Sequence, residues 1–270
     1  MGREQSLFDR LFSLEGKAVL ITGASGGIGR VLASSLAEAG ANVALHGTRR
    51  EPLEELKYQI EARGGCGTIL TADLSEVSTC RQLVRDAHAA LGRLDILINC
   101  AGTNRRKPAS EVTEEDWDTV VDINLRSLFF VCQAAHKQMR ESGGGKIINI
   151  GSVTSFDGLG EVSVYGATKG GVAQLTKTLA VEWADDNIQV NCLAPGFIVT
   201  PLTEMPLWGD ERRRQWLLDR IPARRPGRPD ELVGATVFLA SDASSYMTGQ
   251  TLIVDGGYLA GGSWQQHEHP

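Results

Sequence analysis

Nowhere in the 270 residues does an apolar run reach the length of about 18 that a membrane-spanning helix needs. The opening stretch carries Arg3, Glu4, Asp9 and Arg10 where a secretory signal needs apolar residues, so a cytoplasmic protein is expected. Cysteine is scarce: Cys66, Cys80, Cys100, Cys132 and Cys192 are odd in number, scattered and without a C-x-x-C pair. That excludes a disulfide scaffold or a cysteine-ligated zinc site, and predicts five reduced core thiols. The five histidines (His46, His88, His136, His267 and His269) lack any ligand spacing, so no metal is expected. Positive charge is in deficit as well, 27 basic against 33 acidic residues, a net −6. A field of that sign repels polyanions, so neither a nucleic acid nor an anionic membrane is an expected partner.

What is present is an ordinary soluble composition, 42% hydrophobic and 22% charged. Short β-branched runs at 18–22, 42–46, 68–71, 96–99, 146–150, 188–193 and 251–254 alternate with helical spacing at 27–39, 52–63, 77–91, 113–141, 164–184 and 229–240. Most of the runs are apolar without alternation, as strands are when both sheet faces are covered. The fold class is therefore α/β: a doubly wound, seven-stranded parallel sheet with helices on both faces. No linker or repeat divides the chain, so residues 1–270 are read as one domain. The interval 196–227 breaks the alternation with four prolines and an arginine-rich helical piece near 210–220, and reads as a lid over a ligand. The polar tail 261–270 is expected to fray or to dock on a partner subunit.

Directly after the first strand comes Thr22-Gly23-Ala24-Ser25-Gly26-Gly27-Ile28-Gly29, followed by a helical pattern. A strand leading in and a helix leading out let bare backbone approach a pyrophosphate whose charge meets the helix N-terminus. Gly23 permits the turn, Gly27 the close approach and Gly29 the helix packing. At the end of the second strand a dinucleotide fold usually carries an acid for the adenosine ribose. Here it reads His46-Gly47-Thr48-Arg49-Arg50, with no acid before Glu51. Either Arg49 and Arg50 bind a 2′-phosphate, which favours NADP over NAD, or they are a solvated helix start.

Tyr165-Gly166-Ala167-Thr168-Lys169 heads a predicted helix. Spacing of four places phenol and ammonium on one helical face, where the cation favours phenolate and makes Tyr165 a usable general acid and base. Ser152 ends the fifth strand, where doubly wound sheets collect ligands, and its hydroxyl suits a carbonyl. Asn124 lies inside a predicted helix, where an amide competes for backbone bonds and bends the helix.

Together these residues resemble the short-chain dehydrogenase/reductase family over nearly the whole chain. The resemblance implies a catalytic tetrad of Asn124, Ser152, Tyr165 and Lys169. It implies cofactor contacts from Gly23, Ser25, Ile28, Gly29, Asp73, Leu74, Asn99, Ala101 and Gly102, and from Pro195, Gly196, Ile198 and Thr200. Asp73 and Leu74 would frame the adenine, Asn99 would fix the central strand, and Ile198 and Thr200 would bind the carboxamide. Lys169 would hold the nicotinamide ribose and Asn124 a proton-relaying water. Two departures stand out: Cys100 where a second asparagine is common, and Gly151 where a serine is frequent. A homotetramer through helices at 116–141 and 164–184 is implied too.

After the fourth strand, Arg105-Arg106-Lys107 sets three cations at the sheet edge, an anion clamp or a solvated basic turn. With 12–17 and 220–224, this segment resembles gluconate 5-dehydrogenase and 2-deoxy-gluconate 3-dehydrogenase members of the family. That implies a sugar acid or another anionic sugar as substrate, held by Arg105, Ser152 and Tyr165. Arg212, Arg213 and Arg214 read as solvated lid charges. The rival readings are a reductase of another carbonyl (a ketoacyl thioester, steroid or polyol) and a dinucleotide sensor without chemistry.

Overall fold

The computed structural model describes residues 6–262. Its strands are β1 (Ala18–Thr22), β2 (Asn42–Gly47), β3 (Cys66–Thr71), β4 (Ile96–Asn99), β5 (Gly145–Ile150), β6 (Ile188–Pro195) and β7 (Thr251–Val254). They form one parallel sheet in the order β3-β2-β1-β4-β5-β6-β7. The helices are α1 (Leu7–Phe12), α2 (Gly27–Glu38), α3 (Arg50–Ala62), α4 (Val77–Leu91), α5 (Glu114–Val121), α6 (Ser127–Glu141), α7 (Ser163–Glu182), α8 (Glu211–Arg220) and α9 (Val233–Ala240). None of the described helices is long and apolar enough to cross a membrane.

Successive strand side chains point to opposite faces, and here each face meets its own layer of helices. Val19, Ile21, Ile96 and Ile98 pack with Leu32 and Leu36 of α2, Leu56 of α3 and Leu239 of α9. Leu20, Leu97 and Ile147 pack with Val84 of α4, Val131 and Met139 of α6 and Val172 of α7. Burial on both sides is why the strands carry no polar alternation. A third, small cluster of Val153, Phe197, Leu207, Leu217 and Ile221 supports the excursion after β6.

The strand order reverses between β1 and β4, which opens a crevice at their carboxyl ends. Two buried polar contacts hold that point closed below the crevice. The Thr22 hydroxyl accepts the N–H groups of Cys100 and Ala101, each at 3.1 Å, drawing the loop after β4 against the loop after β1. Asn99 and Asn149 are register partners, and Asn99 Nδ2 donates to Asn149 Oδ1 at 2.9 Å. Asn149 Nδ2 donates in turn to the Thr176 hydroxyl on α7 at 3.0 Å, so β4, β5 and α7 share one satisfied network.

The structure departs from the sequence expectations in several places. Helix α1 was not foreseen; a Ser6–Asp9 capping box stabilises it, but with six residues and none buried it leaves no periodic signature. The helix expected over 113–141 is divided by a π-helical stretch at Asp122–Arg126, where the Ser127 N–H reaches back five residues to the Asp122 carbonyl. Strand β3 starts at Cys66, which is exposed because it opens the edge strand of the sheet and so is not a core thiol. Cys80, Cys132 and Cys192 are buried and Cys100 is half-buried.

His46, which is 2% exposed at the end of β2, joins three strands' loops. Its Nδ1 accepts the Gly23 N–H at 3.4 Å, so Nε2 carries the proton and donates to the Ala72 carbonyl at 3.1 Å. Burial pushes the imidazolium down to about 4, against the opposing pull of the Ala72 carbonyl. The unfolded chain, with an ordinary value of about 6.5, takes the proton first. This stability contribution is therefore complete above about pH 6.5 and is lost as pH falls toward about 4, up to about 3 kcal/mol. Denaturant titrations at pH 7 and pH 4.5 should show a loss smaller by about 2 kcal/mol in His46→Asn than in the wild type; equal losses would remove His46 from the acid response.

Candidate active site

The crevice is built from the loops at the carboxyl ends of the strands. In the first, Gly23 has φ +73°, and a Cβ there would lie 2.8 Å from the Ala101 backbone. A Cβ on Gly29 would lie 2.2 Å from the Gly23 carbonyl oxygen, so neither position accepts a side chain. No side chain caps α2 at Gly26, which leaves the first-turn N–H groups for an anion. Ser25 packs against Gly47, and Gly27 faces Thr200 of the loop after β6, where a Cβ would stand 3.7 Å from the threonine Cβ. Thr200 is fixed by Thr203, whose hydroxyl accepts the Thr200 N–H at 2.9 Å and donates to the Ile198 carbonyl at 2.5 Å. Pro195 and Ile198 are buried beside them, and Gly196 lies so close to Asp255 that a Cβ would meet its Cα at 2.6 Å. Asp73 is exposed after β3 and accepts the Ser75 N–H at 3.0 Å, while Leu74 is buried. Arg49 is exposed at the N-cap of α3, whereas Arg50 pairs with Glu54 at 2.8 Å.

Around the carboxyl end of β5 the four candidate catalytic side chains come from separate elements. Asn124, fully buried in the π-helical stretch, accepts the Thr103 N–H at 2.8 Å and donates to the Thr103 carbonyl at 2.9 Å and the Thr168 hydroxyl at 3.2 Å. A π insertion of this kind rotates one residue out of the helical register, and here it turns the amide onto the loop after β4. Lys169, 5% exposed, donates from Nζ to the Ile150 carbonyl at 2.7 Å. Its ammonium lies 5.6 Å from the Tyr165 ring centre and beside Gly102. Ser152 accepts the Thr154 N–H at 3.1 Å at the head of a short turn. Gly151 is forced by a neighbour: a Cβ there would lie 2.6 Å from Cys192 Sγ, which accounts for one of the two departures from the family pattern. Cys100, the other, has its thiol pushed up to about 11 by burial and stays neutral.

A cavity of about 560 Å³ lies between the loop after β4, the loop after β5 and helix α8, and none of the four candidate catalytic side chains lines it. Arg106, half-buried, lines it, while Arg105 is exposed and outside the lining. Burial pulls the Arg106 guanidinium below its ordinary range, Arg213 adds to that pull, and Glu161 and Tyr165 oppose it. Arg212 and Arg213 also line the cavity, while Arg212 and Arg214 are exposed and the Arg213 side chain is 40% exposed, so these α8 arginines are solvated as expected. Buried Asn104 Oδ1, Thr154 Oγ1 and Trp208 Nε1 have no hydrogen-bond partner among the described residues, and each belongs to a segment bordering this space. Among the described residues no three His, Cys, Asp or Glu side chains cluster as a metal ion would require.

These features suit a dinucleotide. The turn is bare at Gly26, where a Cβ would meet nothing within 4 Å, the helix N-terminus has no side-chain cap, and Lys169 has two ammonium protons left after its one hydrogen bond. Sequence reasoning gave no role to Thr22, His46, Asn149 or Thr203, which hold the loops in place. Only their position at strand ends could have signalled them, since an isolated threonine or asparagine has no pattern of its own.

Comparison with known proteins agrees with this geometry. The family model described as enoyl-(acyl carrier protein) reductase matches residues 23–259. The 2-dehydro-3-deoxy-D-gluconate 5-dehydrogenase of Escherichia coli K12 is 46% identical over 92% of this chain and 98% of its own length. The gluconate 5-dehydrogenase of Gluconobacter oxydans is 44% identical over 92% of this chain and 96% of its own. A solved gluconate 5-dehydrogenase of Burkholderia cenocepacia, in complex with NADP and tartrate, superposes with a TM-score of 0.91 at 41% identity, covering 94% and 99% of the two chains. With the sheet order, the glycine turn and the tyrosine–lysine helix in place, the chain belongs to the short-chain dehydrogenase/reductase family.

Proposed function

We propose that this protein is an NAD(P)-dependent oxidoreductase that interconverts a secondary alcohol and a ketone on a sugar acid or a similar anionic sugar. The observation that carries the substrate class is a half-buried guanidinium, Arg106, which lines the cavity and lies within electrostatic reach of Tyr165. An ionised carboxylate is the ligand that best offsets a cation drawn out of water. The sugar-acid relatives support the same reading.

A bound nicotinamide would supply or accept the hydride. The chain's own residues would do the rest. Gly23, Ser25, Ile28, Gly29, Asn99, Ala101 and Gly102 would line the dinucleotide, with Asp73 and Leu74 at its adenine and Pro195, Gly196, Ile198 and Thr200 at its other end. Tyr165 would take or return the hydroxyl proton, helped by the Lys169 charge beneath its ring. Ser152 would hold the substrate oxygen, and Asn124 would keep the loop after β4 against the helix that carries Tyr165. The excursion at 196–227 would act as a lid, its α8 face closing the substrate cavity. NADP is the favoured cofactor, since Arg49 has no ion pair among the described residues and can meet a 2′-phosphate. Exposed Trp117 and Val181 on α5 and α7 support assembly as a homotetramer through those helices.

Tyr165→Phe keeps the ring and removes the proton carrier, so turnover should fall at least about 10²-fold while cofactor affinity by fluorescence titration stays near that of the wild type. Undiminished turnover would refute the role. Arg106→Ala should raise KM for gluconate by about tenfold or more and leave a neutral polyol unaffected; Arg105→Ala should change neither, and the reverse pattern would reassign the clamp. For the cofactor, Arg49→Ala should weaken NADP by about tenfold and leave NAD unchanged. Equal effects on the two would mean that Arg49 does not read the phosphate.

A further inference from the structure

Glu161 stands out on the wall of the substrate cavity for three independent reasons. Its backbone has φ +65°, the left-handed region that a glutamate seldom adopts. Its carbonyl accepts the Lys107 N–H at 2.9 Å, so it anchors the segment that carries Arg106. Its carboxylate pairs with Arg213 of α8 at 2.9 Å, and the same guanidinium also donates to the Pro206 carbonyl at 3.1 Å. One residue thus touches both sides of the cavity, held there by a strained backbone that would be relaxed if only a surface loop were needed.

The charges on the wall give this position a chemical meaning. Arg106, Arg212 and Arg213 face Glu161 and Asp210. Asp210 is engaged as the N-cap of α8, where it accepts the Arg213 N–H at 2.9 Å. Of the two carboxylates lining the cavity among the described residues, Glu161 is therefore the one whose side chain pairs with a guanidinium, that of Arg213, and it also favours the charge on Arg106, so its removal would make the wall more positive by one charge. We propose that Glu161 sets the charge of the substrate site: it cancels one guanidinium, so that the cavity takes a singly charged sugar acid in preference to a doubly charged one.

This inference rests on the sugar-acid reading above, and the test separates the two. Gluconate, glucarate and glucitol share one six-carbon chain and carry one, two and no carboxylates. Wild type, Glu161→Gln and Glu161→Asp would be compared by kcat/KM on all three, and by inhibition constants for glycerate and tartrate, a monoanion and a dianion that need not turn over. The Gln variant keeps size and backbone type and removes the charge; the Asp variant keeps the charge. In Glu161→Gln the preference for dianion over monoanion should rise about tenfold, as one unit charge a few ångströms away in a partly solvated site predicts. In Glu161→Asp it should stay within about twofold of wild type. A loss of lid anchoring alone would slow all substrates together and leave the ratio fixed. An unchanged ratio in the Gln variant, or an equal shift in the Asp variant, overturns the role of Glu161. If wild type instead handles glucitol as well as gluconate, the sugar-acid reading itself fails; with gluconate preferred and the ratio unmoved, only Glu161 does.

Discussion

Lys169 is a charged side chain almost wholly withdrawn from water, with one carbonyl, that of Ile150, to hold it. Such a group is tolerated only where its surroundings are organised around it, since an ammonium left without partners inside a protein costs several kcal/mol. The organisation can be followed outward through hydrogen bonds. Ile150 ends the strand that leads to Ser152, Lys169 shares its helix with Tyr165, and Thr168 beside it receives the Asn124 amide. Asn124 closes on the backbone of Thr103 and so ties the loop after β4 to the same helix. Displacing the ammonium would disturb the surroundings of Asn124, Ser152 and Tyr165 together.

Below this charged centre lies a neutral one. The Asn99, Asn149 and Thr176 side chains satisfy one another across two strands and a helix, and the Thr22 hydroxyl pins two amides of the next loop. These contacts set the height of the crevice floor. They also explain why Gly23 accepts no side chain, since the Thr22 bonds draw Ala101 against it, while Gly29 is crowded by the Gly23 carbonyl of its own turn. Above the centre, the cavity wall is made of opposed charges whose local sum is positive although the chain as a whole is acidic. Local arrangement, and not net charge, decides what such a site attracts.

Much of this was legible in the linear chain. The seven strands fell where β-branched runs predict them, because residues buried on both faces have little freedom in composition. The glycine turn and the tyrosine–lysine pair were legible because each is a fixed spacing along one strand-turn or one helical face. Helix α1 was too short for periodicity to report, and the π insertion at Asp122–Arg126 is invisible to a pattern of period 3.6. Sequence reading favoured Arg105 for the substrate anion, yet Arg106 is the one that enters the cavity. Adjacent residues of a loop differ only in backbone direction, which no composition encodes.

The order of elements, the glycine turn and the spacing of the tyrosine–lysine pair were thus determined by the chain itself, since each depends on residues close in sequence. Which arginines line the cavity, which carboxylate pairs with one of them and which side chains brace the loops were decided only when distant segments met. Glu161 lies 52 residues from Arg213 and Asn99 lies 50 from Asn149. Short-range geometry is written into spacing, whereas charge balance and polar satisfaction depend on who becomes whose neighbour, and only folding brings those neighbours together.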